Sequence, residues 1–468
     1  MSYAPPLCQI AFSVIDLRRS ERWFREGFGL LGAGGSSRWM MRGPIASRVQ
    51  GLPRAASTCW WLVARNDWFQ LELFQFERPM ARLMPPDFRP CDIGYTRIGL
   101  WVRDFDATLA RMIELGTPPM TAPVGTAGRR RVCVRNPDGV YVEIMEDDPL
   151  SAVASAGRAE CPAAIRSVTM STPDFEDSVA YMTDGIGLAQ CDVALHGPEH
   201  EALWGLAGAR CKSAVFSAGS VLVEVAQYLD PAGKPWPDGY RISDQGILNI
   251  AFGARCKRDH MTVVRRATAF GATPNWRPFH LPGAGVVYVN DKHGFSVEVL
   301  WMKPGRSDRD WGFEPLPIAQ RPEPDTFRVE QRVRVDAPID RVWSVLGDHE
   351  GMIRWSAFKT VTRIVDGAPD PDGLGAQRLL KGPAGTLVEQ ILEWSPPSHM
   401  RYRVIQGSPL VCHQGEIALV AAGKATDVTW SIRFRPRIPG TGRLWRTMLG
   451  SMLGGMLRKQ LKPFVERR

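Results

Sequence analysis

Four glutamates of this chain stand in near-identical surroundings: Glu72 in FQLELFQF, Glu143 in VYVEIMED, Glu224 in VLVEVAQY and Glu298 in FSVEVLWM. Each lies between two apolar residues, Leu71 and Leu73, Val142 and Ile144, Val223 and Val225, Val297 and Val299. Side chains alternate between the two faces of a strand. If the apolar neighbours pack under helices, the four carboxylates point the other way, toward a concave face and a cavity. Carboxylates gathered there can hold a hard cation. Without a cation, like charge and desolvation raise one pKa and leave a protonated acid beside an ionised base. Such a pair suits proton transfer to and from a carbon acid, as in isomerisation, elimination or ring closure.

The elements that must position these glutamates repeat four times. QIAFSVIDLRRSERWF from Gln9, RIGLWVRDFDATLARM from Arg97, SVTMSTPDFEDSVAYM from Ser167 and NIAFGARCKRDHMTVV from Asn249 each read as a short strand followed by an amphipathic helix. Asp16, Asp104 and Asp174 fall seven residues after the first three starts, where the helix begins. An Asp there accepts hydrogen bonds from the free N–H groups of the first turn, so these are helix caps rather than catalytic acids. Cys256 holds that place in the fourth repeat. The turn sequences NPDG (Asn136–Gly139) and DKHG (Asp291–Gly294) precede two of the glutamate strands, as hairpins require. From each start to its glutamate there are about 45 to 65 residues, room for a βαβββ unit.

Two linkers divide the chain: the small and polar SAVASAGRAECP at 151–162, and a Pro- and charge-rich run at 304–325. The expected domains are 1–150, 163–303 and 326–468. The last opens with the strand FRVEQRVRVD and a helix, continues in alternating strands, and closes with a long amphipathic helix. Alternation sets Met400, Tyr402 and Val404, with Val428, Trp430, Ile432 and Phe434, on one strand face, and Arg401, Arg403, Arg433 and Arg435 on the other. The helix stripe Leu444, Met448, Met452, Met456, Gln460 and Leu461 is expected to face the sheet.

Composition narrows the class. At 44% hydrophobic and 23% charged, the chain has an ordinary globular make-up, and nothing in it approaches the roughly 18 apolar residues of a membrane span. No basic, then apolar, leader opens it, and the nine cysteines are scattered without CxxC spacing. The expectation is reduced thiols in a cytoplasm. The net charge of +9 resides in the segment from Arg433 to Arg468, which has ten Arg or Lys against Glu466 alone. The balanced remainder argues against a general nucleic-acid role.

The repeat starts, the PDG turn and the terminal V-E-[IV] strand resemble the vicinal oxygen chelate superfamily, which includes glyoxalase I, extradiol ring-cleavage dioxygenases and the fosfomycin and bleomycin resistance proteins. The resemblance spans about residues 7–301. VRVDAPIDRVWSVLGD, Trp355, EWSPPSHMRYRV and TDVTWSIRFRP resemble the START-related polyketide cyclase/dehydrase and lipid-transport superfamily. Together they imply an α+β chain: four βαβββ repeats forming two glyoxalase-like domains, then a helix-grip START-like domain.

In metal-using members of the first family, ligands come from each repeat's strand start and terminal glutamate. Carried over, the first domain offers Gln9, Glu72, Arg97 and Glu143. A guanidinium cannot be a ligand, so Arg97 is expected to pair with Glu72 or Glu143 in the metal's place. The second domain offers Ser167, Glu224, Asn249 and Glu298, with no His and therefore no His-His-Glu iron site. His196 and His200 flank Gly197 and Pro198 in a loop, which disfavours a zinc pair. The resemblance and the residue chemistry together imply a metal- and cofactor-free enzyme using Glu298 and Glu224 as acid and base. Asn249 would donate to a developing oxyanion, with Ser167 beside it. Gln9, Glu72, Arg97 and Glu143, and Trp355, Tyr402, Trp430 and Phe434 in the third domain, are expected to bind substrate. That substrate would be a hydrophobic cyclic or aromatic small molecule, and the reaction that of a lyase, isomerase or cyclase. A non-catalytic binding or resistance protein and a diverged extradiol-type dioxygenase are the alternatives, and a homo-oligomer is compatible with all three.

Overall fold

A computed structural model describes residues 3–36, 41–151, 157–316, 326–383 and 385–467. The chain divides into two compact units, Met1–Pro322 and Glu323–Arg468.

The first unit contains the four repeats. Asp16, Asp104 and Asp174 cap their helices as expected, accepting from the backbone N–H of Arg19, Ala107 and Asp177, whereas Cys256 makes no side-chain cap. Both PDG-type turns close on a glycine with positive φ, Gly139 and Gly294, where a side chain would be strained. The eight apolar residues flanking the glutamates all join one core with the repeat helices, including Trp23, Phe24, Met112 and Val263. The carboxylates therefore occupy the opposite sheet face.

The pairing of repeats departs from their linear order. One sheet runs Thr273–Pro274, Ala284–Asn290, Ser296–Met302, Gly246–Ala254, Leu7–Ser13, Gln70–Arg78, Ala56–Val63 and Leu31–Gly35, with Phe279–Leu281 added beside Ala284–Asn290. It joins the first repeat to the fourth. The other runs Arg131–Arg135, Tyr141–Met145, Gly94–Val102, Ala163–Ser171, Val221–Asp230, Arg210–Ala218 and Ala189–Cys191, joining the second to the third. At each centre two strand starts meet antiparallel: Ala11 opposite Asn249, and Gly99 opposite Ser167. Gly99 is needed there, because a Cβ would lie 2.3 Å from Ser167 Oγ.

The run at 304–316 is not a free linker. Phe313 stacks on Trp68, Asp308 takes both arms of Arg255, and Trp311 reaches the cavity described below. The rest of that expected linker, 317–325, lies outside the described residues, as does 152–156 of the first.

The second unit is a seven-stranded antiparallel sheet in the order Phe327–Val335, Ala425–Pro436, Leu410–Ala422, His399–Gln406, Gly385–Ser395, Gln377–Gly382 and Thr360–Val365. Its closing helix Gly442–Gly455 continues through Met456–Leu461 and Lys462–Glu466. Trp355, Tyr402, Trp430 and Phe434 are buried in one core with Leu453, Leu457, Leu461 and Val465, and Trp430 Nε1 donates to Tyr402 Oη at 3.0 Å. The helix presents the expected row only in its last turns: Leu461 is buried and Met456 packs against the core. Before that, Leu453 and Leu457 pack inward, whereas Leu444, Met448 and Met452 are exposed. Two adjacent i, i+4 rows are both apolar, and periodicity alone does not choose between them.

Candidate active site

Because the first repeat pairs with the fourth, Glu72 and Glu298 share one concave face. Gln9 Nε2 bridges them, donating to Glu72 Oε2 at 2.6 Å and to Glu298 Oε2 at 3.0 Å. Glu72 Oε1 accepts from Cys59 Sγ and Trp61 Nε1, both at 2.9 Å. Glu298 faces weaker donors: Asn249 Nδ2 is 3.5 Å away, and Tyr288 lies directly across the hairpin. All of these side chains are buried. Among the described residues, no cationic side chain forms an ion pair with either carboxylate, and Arg42, which also lines the cavity, pairs with Glu77 at 2.7 Å.

The electrostatics follow from this geometry. Burial raises Glu72 to about 7, opposed by its hydrogen bonds from Cys59, Trp61 and Gln9. Burial, and then the neighbouring Glu72, push Glu298 well above the ordinary carboxylate range. Three donors make Glu72 the more readily ionised of the two, and Glu298 the one that keeps its proton to higher pH. The pair borders a cavity of about 350 Å³ with apolar walls, among them Ile45, Val49, Phe279, Leu300, Met302 and Trp311.

A raised carboxylate pKa stabilises the fold below its ordinary value of 4.5, and that contribution is lost as pH rises through the folded value, about 7 for Glu72. The shift corresponds to about 3 kcal/mol at roughly 1.4 kcal/mol per pH unit. Glu72→Gln is therefore expected to flatten the decline in melting temperature between pH 5 and 8. An unchanged decline would show that Glu72 titrates normally.

The other sheet holds a closed cluster. Arg97 Nη2 pairs with Glu224 Oε2 at 3.0 Å and its Nη1 donates to Tyr228 Oη at 2.9 Å, while the Trp204 ring lies 3.7 Å from the guanidinium carbon. His196 bridges both glutamates, with Nε2 2.9 Å from Glu143 Oε2 and Nδ1 2.8 Å from Glu224 Oε1. Arg131 adds a second cation to Glu143 at 3.3 Å, and Thr169 donates to Glu224 at 2.8 Å. Burial alone would raise Glu143 and Glu224, but His196 and the arginines hold both at about 2. Burial would likewise lower His196, yet Glu224 and Glu143 carry it up to about 9. It is an imidazolium at neutral pH. The helical turn Pro198–Trp204 seals the cluster, with Glu201 accepting from Tyr228 and Trp204.

Several expectations are thereby corrected. Arg97 pairs with Glu224, not with Glu72 or Glu143, because the second repeat faces the third. Glu224 and Glu298 do not share a cavity, and Ser167 lies in the closed cluster while Asn249 lies in the open one. Among the described residues, Glu72 and Glu298 are the two of the four glutamates with no cationic partner. His196 reaches from its loop into a site whose strands contribute no His. Register could have revealed some of the missed neighbours: Tyr288 stands opposite Glu298 across the DKHG turn, and Tyr228 lies four residues beyond Glu224 on the same face.

The resemblance implies that these positions could converge on a cation. The closed site does not fit one, because the imidazolium of His196 lies between its two carboxylates. Among the described residues, the open site offers no His, the usual transition-metal ligand, and Gln9 turns its amide nitrogen to both carboxylates. Among the described residues no group of three or more His, Cys, Asp or Glu is placed to hold a metal. Elemental analysis of the purified protein is expected to find well under one equivalent of Fe, Zn or Ni. One equivalent, removed by chelator together with activity, would overturn this.

The topology defines two glyoxalase-like sheets built from four βαβββ repeats, followed by a helix-grip unit of the START type. Residues 326–467 match the family model described as polyketide cyclase/dehydrase and lipid transport. Among solved structures, glyoxalase I from Zea mays is similar at 15% identity and a TM-score of 0.41, covering 64% of this chain and 92% of that one. A START superfamily protein from Mycobacterium smegmatis is similar at 18% identity and a TM-score of 0.28, covering 30% and 97%. The Zhui aromatase/cyclase from Streptomyces sp. R1128 is similar at 21% identity and a TM-score of 0.26, covering 31% and 95%. No curated protein matches the chain.

Proposed function

We propose that the open site of the first unit is an acid–base centre acting, without a metal, on a hydrophobic cyclic or aromatic small molecule. The observation that carries this reading is the pair Glu72 and Glu298, buried at the wall of an apolar cavity with no cationic partner among the described residues. Glu72, the anion, takes a proton from carbon, and Glu298 delivers one to carbon or oxygen. Asn249 and Tyr288 stand beside Glu298, where charge would develop on a substrate oxygen. A proton moved within one molecule gives an isomerase; with loss of a leaving group or closure of a ring, it gives a lyase or cyclase. The cavity volume is within the range for small-molecule sites. The START-like unit, with its aromatic interior, supports the same class of hydrophobic ligand.

The test begins with native mass spectrometry of the purified chain, where an apolar ligand of matching size is expected. Incubating that ligand or its analogues with the protein should then give a product of unchanged oxidation state. Tight binding with no conversion of any ligand would replace catalysis with sequestration. A product that incorporates both atoms of O₂ would replace it with ring-cleaving oxygenation.

A further inference from the structure

We infer that the outer face of the C-terminal helix docks on an anionic phospholipid surface. Gly442–Gly455 is held to its sheet by one row of side chains, leaving a second apolar row uncovered: Leu444 is 61% exposed, Met448 52% and Met452 52%, with Ile438 at 68% just before the helix. These residues are placed at i, i+4 and i+8, so they form a continuous strip. Basic residues share the segment with it. Arg437, Arg443, Arg446, Arg458 and Lys459 are all exposed, and no acidic residue occurs between Asp427 and Glu466.

Apolar side chains flanked by arginine and lysine match the boundary between lipid headgroups and acyl chains, where the strip is buried and the cations meet phosphate. Methionine suits such a surface because its flexible thioether adapts to an irregular partner. No helix among the described residues is long and apolar enough to cross a bilayer, so the helix lies on the surface rather than through it. A nucleic acid fits the strip less well, since it lacks the aromatic faces on which bases stack. Trp445, the aromatic residue of this helix, packs against the core instead. The face is separate from the carboxylate site, and its role does not depend on the reaction proposed there.

The full chain should co-sediment with vesicles of phosphatidylcholine and phosphatidylglycerol at least tenfold more strongly than with phosphatidylcholine alone, and less so as salt rises. Leu444→Asp with Met448→Asp and Met452→Asp should reduce that binding at least tenfold with an unchanged melting temperature, because none of the three supports the core. A Met448→Trp variant should shift its fluorescence to the blue on the anionic vesicles. Equal binding to both vesicles, an unaffected triple variant, or a tryptophan that stays in water would each overturn the proposal. So would a wild-type dimer by light scattering that the triple variant converts to monomer, which would assign the strip to a second copy of the chain.

Discussion

Glu298→Gln is expected to lower turnover about 10²–10⁴-fold, the usual contribution of one positioned proton-transfer group. Glu72→Gln should cost a similar factor, and the double variant little more than either, because the two act as a unit. The variants should differ in pH dependence. Wild-type activity should rise as pH increases through about 7, where Glu72 ionises, and fall when Glu298 loses its proton well above the ordinary range. Glu72→Gln removes the rising limb and Glu298→Gln the falling one. Glu224→Gln serves as the control: it should retain the chemistry and lose stability. If Glu224→Gln proves inactive while fully folded and Glu298→Gln is nearly normal, the active sheet has been assigned wrongly.

The largest stability effect is expected at His196. Removing one member of a buried ion pair leaves its partners charged and unpaired, at a cost of about 3–5 kcal/mol. His196→Ala exposes two such partners, Glu143 and Glu224, with Arg97 and Arg131 remaining to compensate in part. Chemical denaturation of the variant at pH 7 would measure the loss. The sign of the pH dependence supplies a second check. His196 is raised from 6.5 to about 9, so its contribution is complete below pH 6.5 and disappears as pH rises through about 9. Glu143 and Glu224 are lowered to about 2, so theirs is present above pH 4.5 and is lost on acidification toward 2. Wild-type protein should therefore lose stability between pH 6.5 and 9 by a component absent from His196→Ala. Equal slopes would mean that the imidazole is neutral in the fold.

The difference between these two sites was only partly legible in the amino-acid sequence. Helix caps at Asp16, Asp104 and Asp174, the turn glycines and the inward-facing Leu71 or Val297 are local matters, decided within a few residues, and the pattern reveals them. Which repeat pairs with which is decided across hundreds of residues, and the repeats are too alike to announce their partners. That single choice moved Arg97 from Glu72 or Glu143 to Glu224 and left Glu298 beside Glu72. His196 was hidden for another reason: it comes from a loop between strands, and no periodicity governs where a loop side chain ends. On the closing helix two apolar rows competed, and only the shape of the sheet selected Leu453 over Met452.

The nesting of the repeats also sets an order of assembly. The closed cluster needs residues from Arg97 to Tyr228, contributed by neighbouring repeats, whereas the open site joins Gln9 to Glu298 across 289 positions of the chain. As the polypeptide emerges from the ribosome, the second and third repeats can complete their sheet and bury their charges while the first still lacks its partner strand. Strand Leu7–Ser13 must wait, one edge unpaired, until Gly246–Ala254 is made. Unpaired edges and long loop closures are where chains fold slowly and aggregate. The inner sheet, tied by Arg97 and His196, can thus be complete before the sheet that carries Glu72 and Glu298 closes.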